Sequence, residues 1–102
     1  MSDKIPANVA VIDVRSATEY ANGHIKGAIN IEAGKLSATE FAAKLPKGKV
    51  VIMNCSAGGR SMEAFLKLKN AKVDVSKIFY FDANIKCDKS GTCEIKVNEP
   101  LG

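Results

Sequence analysis

Apolar residues fall in short blocks along this chain, each followed by a polar or glycine-containing stretch. Val9-Ala10-Val11-Ile12-Asp13-Val14 is an apolar run interrupted by charge only near its end, which predicts a buried strand. Ser16 and Glu19 stand at capping-box spacing, so a short helix is expected through about Asn22, stopped by Gly23. Gly27-Ala28-Ile29-Asn30-Ile31 reads as a second short strand. Ser37 and Glu40 repeat the capping box and open a helix to Leu45, closed by Pro46 and Gly48. Val50-Val51-Ile52-Met53-Asn54 is the most continuously apolar block and is expected as a central strand buried on both faces. An amphipathic helix to about Asn70 follows, with Met62, Phe65, Leu66 and Leu68 apolar and Lys67 and Lys69 toward water. Ile78-Phe79-Tyr80-Phe81 is a further strand. Strands alternating with helices predict an α/β fold with a mostly parallel sheet covered on both faces.

The last twenty residues break that alternation. Ile85-Lys86-Cys87 and Cys93-Glu94-Ile95-Lys96-Val97 flank Asp88-Lys89-Ser90-Gly91-Thr92. Gly91 at the fourth turn position suits a type I turn with a G1 bulge and a three-residue loop. In that register Asp88 pairs with Thr92, and Cys87 lies opposite Cys93 as a non-hydrogen-bonded pair with Cα atoms ~4.5 Å apart. A disulfide can bridge that distance. Two reduced thiols are the other reading. Two cysteines and the one histidine, His24, fall short of the four ligands a structural metal takes, so no metal is expected.

Length and composition narrow the class. The 102 residues suit one domain, with a core over about 9–82 and the hairpin over about 84–98. With 46% hydrophobic and 25% charged residues, the chain is neither disordered, nor a coiled-coil rod, nor a disulfide-packed mini-scaffold. No apolar run approaches the ~18 residues of a membrane span, and Met1-Ser2-Asp3-Lys4 lacks the apolar stretch of a leader. The net charge is +4, but the lysines are scattered singly with few aromatics between them, unlike a nucleic-acid surface. Neither a nucleic-acid nor a membrane partner is expected, and with no large apolar face a monomer is the default. Arg15 and Arg60 stand out in a chain that otherwise uses lysine, and they suit places needing a fixed fork of donors.

Candidate chemistry centres on Cys55-Ser56-Ala57-Gly58-Gly59-Arg60-Ser61, directly after the central strand and before a helix. Ligand sites in such sheets lie beyond the carboxyl ends of the strands. Loop amides and the helix dipole there stabilise an anion, so Cys55 is expected to hold its proton weakly and act as an exposed thiolate nucleophile. Gly58 and Gly59 let the backbone curl, and Arg60 either adds charge at the rim or braces the loop through a carboxylate.

Val11-Ile12-Asp13-Val14-Arg15, Glu19-Tyr20, Gly23-His24-Ile25-Lys26-Gly27-Ala28-Ile29-Asn30-Ile31 and Cys55-x-x-Gly58-x-Arg60-Ser61, in this order and spacing, resemble the rhodanese (sulfurtransferase) family. The resemblance implies a three-layer α/β domain with a five-stranded, mainly parallel sheet, here with an atypical two-cysteine β-hairpin at its end. It implies that Cys55 accepts a sulfane sulfur from thiosulfate or polysulfide, becomes a persulfide, and yields the sulfur to a thiol or cyanide. Amides of Ser56, Ala57, Gly58, Gly59 and Arg60 would cradle the sulfur, with Ser61 in the same loop. Asp13, Arg15 and Glu19 would support the site, and His24 would be structural. No cofactor is implied. The partners would be a small sulfur-donor anion and a thiol acceptor, small molecule or protein.

Two departures and two rivals bear on that expectation. Ser56 stands where many thiosulfate-using relatives carry a cation, which opens polysulfide, a persulfide protein or glutathione persulfide as donors. Asp82-Ala83-Asn84-Ile85 replaces the usual Gly-Gly segment, and there is no tryptophan, which removes support for the usual terminal helix. Tyrosine-phosphatase-like and arsenate-reducing enzymes place five residues between cysteine and arginine, against the four here, and the shorter ring suits a sulfur atom better than a tetrahedral anion. A non-catalytic sulfur-carrier or redox interaction module is the other alternative. Cys87 and Cys93 could then resolve the Cys55 persulfide. The cysteine pair leans toward an oxidising compartment, the periplasm of a bacterium.

Overall fold

A computed structural model describes residues 6–56, 59–81, 83–90 and 92–97. β1 (Val9–Asp13) leads into α1 (Ala17–Asn22), and β2 (Ile29–Asn30) follows. A 3-10 turn (Ala33–Lys35) precedes α2 (Ala38–Lys44), β3 (Val50–Asn54), α3 (Gly59–Asn70) and β4 (Ile78–Tyr80). β5 (Ala83–Cys87) and β6 (Cys93–Val97) complete the described elements.

Both capping boxes form. Ser16 Oγ accepts from the Glu19 amide at 3.2 Å while Glu19 reaches back to the Ser16 amide at 3.3 Å. Ser37 and Glu40 repeat the arrangement at 3.1 and 3.0 Å. Reciprocal capping satisfies two otherwise orphaned amide donors at each helix start, which lets helices of six and seven residues hold.

β1 to β4 form a parallel sheet in the order β2-β1-β3-β4. Pairing Ala10 with Val51, Ile12 with Met53 and Met53 with Tyr80 puts these side chains on one face. Phe41 of α2 and Ala64 and Leu68 of α3 close over that face to make the buried core. The opposite face is more open. Ile52 is half-buried and Phe79 is 54% exposed, and α1 contributes no buried residue that could cover them.

One expectation is corrected here: the sheet has four strands among the described residues, not five. The reason is the chain after Phe81. It pairs with itself as β5 and β6, an antiparallel unit separate from the main sheet, and so supplies neither a fifth strand nor a terminal helix.

That hairpin has the register read from the turn. Cys87 pairs with Cys93, their Cα atoms are 4.0 Å apart, and a disulfide joins them. The Asp88 amide donates to the Thr92 carbonyl at 2.9 Å. Asp88 Oδ1 accepts from the amides of Ser90 and Thr92, both at 3.0 Å, which ties the turn. Gly91 lies outside the described residues.

Candidate active site

β1 and β3 are neighbours, but the chain leaves β1 outward to β2 on one side and runs from β3 to β4 on the other. Connections diverge at such a switch point and leave a crevice at the carboxyl ends of the strands. Arg15 follows β1 there and Cys55 follows β3, joined where the Val14 amide donates to the Asn54 carbonyl at 3.0 Å. Alternation along β3 then sends Cys55 to the same face as Val51 and Met53. The thiol is therefore buried at the edge of the core, 2% exposed, rather than exposed as its chemistry suggested. Its Sγ lies 3.6 Å from Ser61 Oγ, on the first turns of α3, and Ser61 Oγ donates to the Phe81 carbonyl at 3.3 Å. The amino end of α3 directs partial positive charge to this region, which favours a thiolate. Ala57 and Gly58 lie outside the described residues.

Arg60 braces the loop rather than standing free at its rim. Nη1 and Nη2 donate to the two oxygens of Glu19 at 2.6 and 2.9 Å, and Nη2 reaches Ser56 Oγ at 3.4 Å. These bonds, with help from the Ser16 cap, pull the Glu19 carboxyl down to about 2, while the bonds to Glu19 push Arg60 upward. Glu19 thus caps α1 and fixes the start of α3. Deeper in, Asp13 is fully buried and receives Arg15 through its amide at 3.0 Å, Nε at 2.9 Å and Nη2 at 2.7 Å. The hydrogen bonds that Arg15 donates to Asp13 raise the Arg15 pKa. Arg15 Nη2 also donates to the Gly23 carbonyl at 2.7 Å, which ties the end of β1 to the end of α1. Ser61 therefore touches the Cys55 thiol, Glu19 and Arg60 brace the start of α3 with Ser56, and Asp13 and Arg15 brace the neighbouring end of β1.

A model of the rhodanese-like domain matches residues 1–85. This chain belongs to the rhodanese-like domain family. Over 63 residues it is 38% identical to a probable adenylyltransferase/sulfurtransferase, MoeZ, of Mycobacterium tuberculosis, covering 62% of this chain and 16% of that protein. Over 60 residues it is 40% identical to a tRNA sulfurtransferase of Desulfurococcus amylolyticus, covering 59% of this chain and 11% of that protein. The chain thus spans a small part of the length of these relatives. The crystal structure of the BH2092 protein from Bacillus halodurans superposes with a TM-score of 0.56 at 26% identity, covering 72% of this chain and 53% of that one.

Within this rhodanese-like domain, several residues near the site make contacts that the sequence reading does not contain. Gly23, expected only as a helix stop, has φ 151° and meets the hairpin: a Cβ there would overlap the Cys87 carbonyl oxygen and lie 2.9 Å from that of Asp88. The Ile85 amide donates to the Ser56 carbonyl at 2.8 Å. β5 therefore rests its outer edge on the residue next to Cys55, a long-range contact with no local signal. Asn30 Nδ2 donates to the carbonyls of Asp13 and Arg15 at 3.0 and 2.9 Å and seals the backbone there. His24 stacks on Tyr20 at 3.7 Å between ring centroids, and its Nδ1 lies 2.8 Å from the Tyr20 carbonyl, so it is held in the packing.

Proposed function

We propose that this domain is a rhodanese-type sulfurtransferase that carries a sulfane sulfur on Cys55 as a persulfide. The observation that carries the reading is the Cys55 thiol, not joined in a disulfide, at the β1/β3 switch point and against Ser61 in the first turns of α3. The names of the two sulfurtransferase relatives support the same chemistry. The Cys55 thiolate attacks the outer sulfur of thiosulfate or a polysulfide. A Cys55–sulfur bond forms, the donor S–S bond breaks, and sulfite or the shortened polysulfide leaves with the electron pair. An acceptor thiolate or cyanide then takes the outer sulfur and returns Cys55 as thiolate. Both steps are exchange at divalent sulfur, in which a stabilised thiolate is also the better leaving group. Helix and loop dipoles lower the cost of that charge, and burial keeps the persulfide from bulk oxidants.

The engagement of Arg60 with Glu19 disfavours a phosphatase or arsenate-reductase reading, since the fork that would clamp a tetrahedral anion already holds a carboxylate. A second reading, delivery of the sulfur to a protein thiol rather than to a small acceptor, uses the same Cys55 chemistry. Intact mass after incubation with thiosulfate, or with polysulfide, tests both. Wild type gains about 32 Da per sulfur and Cys55→Ser gains none. Slow loss of that sulfur to cyanide beside fast loss to one protein thiol supports delivery. No Cys55-dependent gain from either donor refutes the sulfur-transfer reading.

A further inference from the structure

The fold gathers lysines that are scattered along the sequence. Strands of a parallel sheet begin at one pole, and helices that return the chain to that pole end there. α2 and α3 return it to the starts of β3 and β4, so segments 44–50 and 69–78 lie at the pole opposite Cys55. They carry Lys44, Lys47, Lys49, Lys69, Lys72 and Lys77 against one acid, Asp74, and all seven are exposed. That is a net charge of +5 in a chain whose total is +4, so the rest of the sequence nets −1. Lys44 and Lys69 stand in the last turns of their helices and complement the helix dipoles. Lys47, Lys49 and Lys77 stand outside the helices and have no ion-pair partner among the described residues. These three rim a cleft of about 420 Å³ with an apolar floor of Leu45, Val51, Val73 and Ile78. Asp74, on the same rim, accepts from the Ser76 amide at 3.0 Å and leaves the rim net positive.

We infer that this cleft docks an acidic, leucine-bearing segment of a partner protein, with carboxylates on Lys47, Lys49 and Lys77 and an apolar side chain on the floor between them. Among the described residues, no aromatic or arginine side chain lines the cleft. Bases therefore find no stacking platform there, and phosphates no bidentate fork. Lysines set apart on two loops suit carboxylates spaced along a chain, and the aliphatic floor suits a buried anchor at the centre of the contact. The five residues of β3 separate the cleft from Cys55 by about 16 Å, at about 3.3 Å per residue. A partner seated here does not touch the Cys55 thiol, and its binding does not depend on the sulfur chemistry.

The test titrates the whole chain with a synthetic peptide, acetyl-Glu-Asp-Leu-Glu-Glu-Leu-Asp-Glu-amide, and follows backbone amide shifts. In about 0.1 M salt, charges more than about 10 Å apart are largely screened, so the contact is read locally. Saturable shifts at Leu45, Val51, Val73 and Ile78 are expected, and their absence at millimolar peptide overturns the proposal. Replacing both leucines of the peptide by alanine should weaken binding about fivefold or more; equal affinity overturns the proposal, because charge alone would then account for binding. Lys47→Gln/Lys49→Gln/Lys77→Gln should weaken it about tenfold or more, whereas Lys86→Gln/Lys89→Gln/Lys96→Gln, which removes equal charge from the hairpin, should change it less than about twofold. All six lysines are exposed and outside the ion pairs of the described residues, so both variants should fold. An equal loss in both variants overturns the proposal as an effect of net charge. An oligothymidylate of the same net charge that binds as tightly, through the same three lysines, overturns it in favour of a nucleic acid.

Discussion

The buried Asp13–Arg15 pair makes the most exacting prediction. The Asp13 side chain has no exposure and that of Arg15 only 11%, with the charges 2.7 Å apart. Asp13→Asn keeps the shape but removes the charge, and it sets an NH2 group against donors of Arg15, whichever way the amide turns. Arg15 is then a buried cation without a counterion. Breaking one side of a buried pair costs about 3–5 kcal/mol. We expect the lower end, about 3 kcal/mol, because Arg15 keeps its bond to the Gly23 carbonyl. For a chain of this size that lowers Tm by about 12–24 °C. Urea unfolding followed by circular dichroism should show the lower midpoint with an unchanged slope. Arg15→Met leaves the carboxylate buried and costs a similar amount, so the double variant should lie about 2–3 kcal/mol above the sum of the singles. A loss below about 1 kcal/mol for Asp13→Asn, or additive singles, would refute the account of this pair as the brace of the β1 end.

Three other outcomes follow from the same contacts. Glu19→Gln keeps the helix cap and removes the charge facing Arg60; both side chains are more than a third exposed, so the loss at neutral pH is only about 0.5–1 kcal/mol. Because the folded pKa of Glu19 is depressed to about 2 from 4.5, that difference is complete above pH 4.5 and vanishes as pH falls through about 2; denaturation across this window should show it, and a difference that persists at pH 2 would contradict the cause. Gly23→Ala drives a Cβ into the Cys87–Asp88 backbone and should cost about 2–3 kcal/mol, with loss of hydrogen-exchange protection at the Ile85 amide; retained protection would show that the hairpin does not rest on Gly23. Cys87→Ser/Cys93→Ser should lose about 2 kcal/mol of hairpin stability, seen as fast exchange in β5 and β6 while β3 stays protected, and uniform loss across the chain would argue against a locally stapled unit.

What neighbours in sequence decide was readable before the fold was known. Ser16 with Glu19 and Ser37 with Glu40 cap their helices because a capping box needs only residues three apart. The Cys87–Cys93 register follows from the turn between them, since loop length alone sets which residues face each other. The place of Cys55 after the central strand was equally local. Its burial was not, because the loop signature says where the thiol sits along the chain and not which face of β3 it shares. The apolar run Val50–Asn54 predicts a strand buried on both faces, yet Ile52 is half-buried and its neighbour Phe79 exposed, because what covers a sheet face depends on elements far along the chain. Gly23 carried two demands at once, and the close approach of Cys87 was invisible behind the more familiar one.

The hairpin's attachment ties these threads to the site. In an antiparallel pair, residues facing each other without mutual hydrogen bonds point their N–H and C=O groups away from the partner strand. Cys87 and Ile85 are such residues, so the free edge of β5 offers the Ile85 amide and the Cys87 carbonyl to the domain. The domain receives the first on the Ser56 carbonyl and makes room for the second at Gly23, whose own carbonyl is held by Arg15. A two-stranded hairpin is marginal alone, and the disulfide supplies the local stability that the missing third strand would have provided. Backbone contacts at two points, one beside Cys55 and one on the Asp13–Arg15 brace, then set its angle.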